Sequence, residues 1–176
     1  YCYNLITINM QGFSRGCDVK PLEKIGRKLK ILNIKEDSGM ANINVLKRQH
    51  EDIHKLIEEI KGTIELGNLE DDAANIAKQI SILAGKLKMH LGTEDQFMYP
   101  ELLNSSNLEI RNMAQQYIEE MGNLSAEFAV YKDKYNTRTK ILSDKEGFLK
   151  ETERIFKLLA ARVEKEDKYI YPLVEG

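Results

Sequence analysis

Two blocks of this sequence carry ionisable side chains where a buried helix face calls for apolar ones: His90-x-x-x-Glu94-Asp95-x-Phe97-x-Tyr99-Pro100 and Arg162-x-x-x-Glu166-Asp167-x-Tyr169-x-Tyr171-Pro172. An imidazole and a carboxylate spaced i, i+4 on a helix point the same way. Inward carboxylates and imidazoles on facing helices are how helical bundles build metal sites. The blocks repeat at a constant offset of 72 residues, 94 to 166 and 100 to 172, which suits a two-helix hairpin with its loops. A duplicated hairpin makes a four-helix bundle.

The elements that must position these groups have their own start and stop signals. The first helix is expected over 41–66, ending at Gly67-Asn68. Asn68 caps the second, with Glu70, Asp71 and Asp72 where the macrodipole favours negative charge, and Pro100 closes it after Tyr99. Ser106-x-x-Glu109 and Ser143-x-x-Glu146 have the form of capping boxes for a third helix over 108–135 and a fourth over 144–171, the latter closed by Pro172. The links are short apart from 136–142, so neighbouring helices should be antiparallel. The expected fold is all-α, an up-down-up-down antiparallel four-helix bundle over residues 40–176 behind an N-terminal arm, residues 1–39. Within the arm, Lys20 to Ile34 is basic, with Leu22, Ile25, Leu29 and Leu32 at helical spacing. It reads as a helix covering one bundle end or a poorly ordered arm, with a short docking, membrane-surface or linker helix as the alternatives; Ser38-Gly39 is expected to break it, and Met40 would serve as an alternative start of the bundle.

Steps of three and four residues define the buried stripe of each helix. On the first it includes Leu46, His50 and Ile53; on the second Leu87, His90, Glu94 and Phe97; on the third Tyr117, Met121 and Phe128; on the fourth Leu159, Arg162, Glu166 and Tyr169. In an antiparallel bundle the ends of helices two and four lie beside the beginnings of one and three. His50, His90, Glu94, Arg162 and Glu166 are therefore expected in one layer, whereas His54 falls on the flank of the stripe, and Tyr99 and Tyr171 read as packing at the bundle end. A buried carboxylate without a counter-charge costs several kcal/mol, so something positive belongs between Glu94 and Glu166. Arg162 and one protonated histidine would balance the two carboxylates without any metal; one divalent ion is tolerated, and two overshoot.

Composition narrows the functional classes. The chain has 176 residues, 42% hydrophobic and 31% charged, which is enough for a single core. A net charge of −2 gives no electrostatic footprint for nucleic acid. Cys2 and Cys17 match no zinc spacing and read as unpaired thiols in a reducing cytoplasm. No run of 18 apolar residues occurs, so membrane insertion is not expected. Residues 1–10 show neither the basic flank nor the cleavage site of a secretory signal. No phosphate-cradling glycine loop and no nucleophile–base pair is legible, so no enzymatic role is expected.

The sequence resembles the hemerythrin-like, or HHE cation-binding, domains over residues 41–174. The resemblance rests on His50 within Leu46-Lys47-Arg48-Gln49-His50, on His90-x-x-x-Glu94-Asp95-x-x-x-Tyr99-Pro100, and on the echo Glu166-Asp167-x-x-x-Tyr171-Pro172. It implies a four-helix bundle holding non-haem iron, with His50, His90, Glu94 and Glu166 at family ligand positions. Met121 stands where the family usually has its third-helix histidine and Arg162 where the fourth-helix motif begins with histidine, and the chain has three histidines in all. The resemblance therefore implies an atypical site of at most one ion, iron with zinc or manganese as substitutes, and not a full di-iron centre. The implied role is an oxygen, redox or iron sensor, with oxygen and a protein as candidate partners. The alternative is a metal-free interaction domain in which Arg162 bridges Glu94 and Glu166.

Overall fold

The computed structural model describes residues 24–175, with side chains over 43–174. The readings of Cys2, Cys17, residues 1–10 and the apolar spacing of the arm lie outside the described residues. Seven α-helices, two of them followed directly by π-turns, make up the described chain: α1 Lys24–Glu65, α2 Leu69–Thr93, α3 Tyr99–Leu103, α4 Leu108–Tyr135, α5 Arg138–Ser143, α6 Lys145–Lys165 and α7 Pro172–Glu175. The π-turns span Glu94–Met98 and Glu166–Ile170. No strand occurs among the described residues. None of these helices is long and apolar enough to cross a membrane.

The helix ends show which local signals act. α1 runs unbroken through Ser38-Gly39, because one interior glycine costs only about 1 kcal/mol in a helix of otherwise good formers. It stops instead where Gly67 takes a left-handed φ of 85° and donates its N–H to the Ile64 carbonyl at 3.1 Å. Asn68 stands at the start of α2, but its amide donates to the Asp71 carboxylate and does not cap the backbone. Both expected capping boxes shift by one residue. Asn107 Oδ1 accepts from the Glu109 N–H at 2.8 Å, and Asp144 Oδ1 from the Gly147 N–H at 3.1 Å. The link expected over 136–142 folds into α5, capped by Thr137.

The π-turns change the register at the level that matters. In each, an N–H bonds five residues back, Tyr99 to the Glu94 carbonyl and Tyr171 to the Glu166 carbonyl. One extra residue is therefore taken up in the turn. The stripe extrapolated at 3.6 residues per turn fails beyond this point. Phe97 and Tyr169, expected inside, are 42% and 50% exposed, while Met98, Tyr99, Ile170 and Tyr171 are buried. Nor do the prolines end the helices: Pro100 lies in the first turn of α3 and Pro172 opens α7, positions where a missing N–H has little to lose.

Packing divides the core in two. One apolar cluster runs from Ile53 and Ile57 through Ile80 and Leu87 to Phe128, Phe156 and Leu159. A second holds Ile43, Leu46, Met98, Tyr99, Leu102, Ala114, Tyr117, Ile170 and Tyr171. The chain positions that separate them on α1, α2 and α6 are those of His50, His90, Glu94, Arg162 and Glu166, all buried. α4 contributes the buried Met121 at that step.

The altered register is testable by comparing adjacent residues. Truncating Met98 to Ala should cost about 2–5 kcal/mol, as for other buried side chains, and truncating Phe97 to Ala about 0.5 kcal/mol or less. Urea denaturation of the two variants measures both. A larger loss at Phe97 than at Met98 would restore the uninterrupted stripe.

Candidate metal centre

Three segments bring donors together. α1 supplies His50, α2 and the turn after it supply His90 and Glu94, and the turn after α6 supplies Glu166. His50 Nε2 lies 3.2 Å from His90 Nε2 and 3.1 Å from Glu166 Oε2. His90 Nε2 lies 3.6 Å from Glu94 Oε1 and 3.8 Å from Glu166 Oε2. Ligand atoms of His50, His90 and Glu166 all fall within 4.8 Å of one another, so this trio could hold a metal ion.

The far side of each imidazole is occupied by an acceptor. Asp167 Oδ1 lies 2.9 Å from His50 Nδ1, and Gln49 Oε1 lies 3.2 Å from His90 Nδ1. The Gln49 orientation follows from its other end. Thr93 Oγ1 donates to the Met89 carbonyl at 2.9 Å, which leaves it to accept from Gln49 Nε2 at 3.3 Å. The amide oxygen then faces His90, whose Nδ1 carries the proton and whose Nε2 turns a lone pair into the centre. Holding a ligating histidine by its other nitrogen fixes tautomer and ring direction and is characteristic of metal sites.

Arg162 compensates one carboxylate and not the other. Its Nε donates to Glu166 Oε1 at 2.5 Å, its Nη2 donates to the Tyr99 hydroxyl at 2.9 Å, and the guanidinium lies over the Tyr117 ring at 4.4 Å. Glu120 Oε2 stands 3.6 Å from Nη1. The bridge from Glu166 to Glu94 expected of a metal-free layer is not formed. The i, i+4 geometry along one helix gives Arg162 to Glu166, and Tyr99 takes the nitrogen that would have crossed to Glu94. Glu94 Oε2 is left buried with no hydrogen-bond partner.

Charge states follow from these neighbours. Burial, reinforced by the Glu166 charge, holds the Glu94 carboxyl well above the usual range. Burial acts the same way on Glu166, but the hydrogen bond from His50, the nearby His90 ring and the Arg162 charge outweigh it and keep Glu166 ionised. For His50, burial is overcome by Glu166 and Asp167 and the pKa rises. For His90, burial, with the charges of His50 and Arg162, prevails over Glu166 and the pKa falls, so this ring is neutral. A neutral imidazole is the form that ligates.

The five residues expected in one layer thus meet there, and His54 lies exposed on the flank. Sequence reasoning missed Gln49 and Asp167, which act through the histidines. It read Tyr99 and Tyr171 only as packing. The available signals were adjacency, Gln49 to His50 and Asp167 to Glu166, and the repetition of Tyr-Pro at the end of both blocks. The cavity of about 470 Å³ lined by Lys47, His50, Glu51, His54, Lys55, Val163 and Asp167 opens the His50 side of the centre to the surface. A cation fits what is present: inward lone pairs, an ionised carboxylate, and a buried carboxyl oxygen lacking a partner.

Among protein families, the model described as Hemerythrin HHE cation binding domain matches residues 41–174. No curated protein and no solved structure matches the chain.

Removing the guanidinium should expose the electrostatic cost it offsets. In chelator-treated protein, Arg162→Ala should lose about 3–5 kcal/mol of unfolding free energy, the usual penalty for orphaning a buried charge. Equilibrium urea unfolding measures it; a loss under about 1 kcal/mol would mean that Glu166 is not held ionised by Arg162.

Proposed function

The chain belongs to the hemerythrin HHE family, and we propose that its four long helices run up-down-up-down around one divalent cation held by His50, His90, Glu94 and Glu166. Iron is the favoured ion, with zinc and manganese as chemically acceptable substitutes. The observation that carries this reading is the pair of imidazoles presenting Nε2 to one point, each fixed from behind by Asp167 or Gln49.

The ion is single because Arg162 stands where a second cation would be needed. Its charge already neutralises one edge of Glu166, and a guanidinium has no lone pair to offer a metal. A bound cation would give the unpartnered Glu94 oxygen a counter-charge. When bound, iron supplies a redox-active centre whose oxidation state answers to oxygen or reductant. The protein's part is to hold the imidazoles in one tautomer, keep Glu166 ionised, and exclude water with an apolar cluster on either side. We assign the protein a sensing role for oxygen, redox state or iron in the cytoplasm, with no catalytic turnover, and a protein partner as the reader of the signal.

The metal-free interaction domain draws support from the short Arg162–Glu166 contact. It leaves the buried Glu94 Oε2 without a partner. Protein purified anaerobically from iron-replete cells should contain about one metal ion per chain, bound largely through neutral imidazole nitrogen. His90→Ala and Glu94→Ala should abolish or sharply reduce that content, and unchanged content in either would reject this ligand set. Asp167→Asn and Gln49→Ala, which touch no ion, should weaken affinity by about 10–100-fold in a competitive chelator titration. Unaltered affinity in both would show that the histidines are not oriented from behind.

A further inference from the structure

We propose that Tyr171 is a fifth ligand of the centre, its phenol oxygen binding iron(III) as a phenolate. This rests on the metal-binding reading above and adds to it a donor that nothing in the family match specifies.

The second π-turn is what delivers this residue. Tyr171 closes that turn through its N–H to the Glu166 carbonyl at 2.9 Å and is fully buried. Its ring stacks on His50, with centroids 5.1 Å apart and planes 15° from parallel. The hydroxyl comes to rest 3.0 Å from His50 Nε2 and 3.4 Å from Glu94 Oε1.

Those two distances close a ring of donors. Going round, Tyr171 O to His50 N is 3.0 Å, His50 N to Glu166 O 3.1 Å, Glu166 O to His90 N 3.8 Å, His90 N to Glu94 O 3.6 Å, and Glu94 O back to Tyr171 O 3.4 Å. Donors about 2.1 Å from a common ion stand about 3.0 Å apart in octahedral and 3.4 Å apart in tetrahedral arrangement. Three of the five edges, 3.0, 3.1 and 3.4 Å, lie in that range, and the two at His90 are longer.

Comparison between the two blocks separates ligand from filler. Tyr99 occupies the same place in the first block, but its hydroxyl accepts from Arg162 Nη2 at 2.9 Å. The Tyr171 hydroxyl meets no arginine among the described residues and faces His50 and Glu94 instead. A phenolate oxygen is a hard anionic donor, known as an axial ligand to iron. On binding, the phenol O–H bond breaks and an O–Fe bond forms, with the proton released to the buffer. No electrons change hands when iron is supplied as iron(III).

The test loads wild type, Tyr171→Phe, Tyr99→Phe and Tyr117→Phe with iron(III) citrate. After removal of unbound iron it records metal content, visible absorption and resonance Raman spectra. Wild type should show a phenolate-to-iron(III) charge-transfer band with tyrosine ring modes enhanced under it. Tyr99→Phe and Tyr117→Phe should keep the band, and Tyr171→Phe should lose it while retaining iron. Iron-loaded wild type without the band, or a band that survives in Tyr171→Phe, overturns the ligand role but leaves metal binding standing. Wild type that takes up no iron overturns both. Should Tyr171→Phe not fold, the other two variants still decide, because loss of the band in either would reassign the phenolate.

Discussion

Two carboxyl groups buried between two apolar clusters set the terms for the rest of the molecule. Glu94 and Glu166 are essentially inaccessible to water, and an ionised carboxylate in such surroundings must be met by charge or by a proton. The two solve the problem differently. Glu166 has Arg162 and both histidines around it and stays ionised, while burial and the Glu166 charge push the Glu94 carboxyl well above its usual range. That inequality gives the centre its character: one edge is already neutralised by a fixed guanidinium, and the other holds a buried carboxyl oxygen without a partner.

The duplicated hairpin explains how two unlike groups come to the same level. Both halves use an ionisable residue, a carboxylate four residues on, a π-turn and a buried Tyr-Pro. π-turns are rare and cluster at functional sites because they aim side chains that a regular helix would turn away. Here they hold Glu94 and Glu166 inside and bring residues 99 and 171 to the centre. The halves then diverge. Histidine in the first stands against arginine in the second, and Asp167 reaches His50 from the second. A symmetric scaffold thus carries an asymmetric site, with one side suited to ligation and the other to charge balance.

Much of this was legible in the chain because it follows from one period. Stripes of three and four residues placed His50, His90, Glu94, Arg162 and Glu166 in a common layer, and the described residues form helices and no strand, as the composition implied. What periodicity cannot carry is a change of period. Extrapolation past Glu94 and Glu166 put Phe97 and Tyr169 inside, where the extra residue of each π-turn places Met98, Tyr99, Ile170 and Tyr171. Contacts between helices were also out of reach. Nothing along the sequence says that Gln49 turns to His90 and not to its neighbour, or that Arg162 gives its second arm to Tyr99 and not to Glu94. Helix ends moved by a residue wherever Asn or Asp stood next to a serine and offered the better acceptor.

The central claim is that a single cation sits among His50, His90 and Glu166 with Arg162 beside it. Crystals of the iron-loaded protein, measured at the iron absorption edge, test it most directly through the anomalous difference map. One peak per chain about 2.0–2.2 Å from both Nε2 atoms, with the guanidinium still on Glu166, is the result this account predicts. A map with no peak between the two imidazoles, or with iron only on exposed carboxylates, would contradict it.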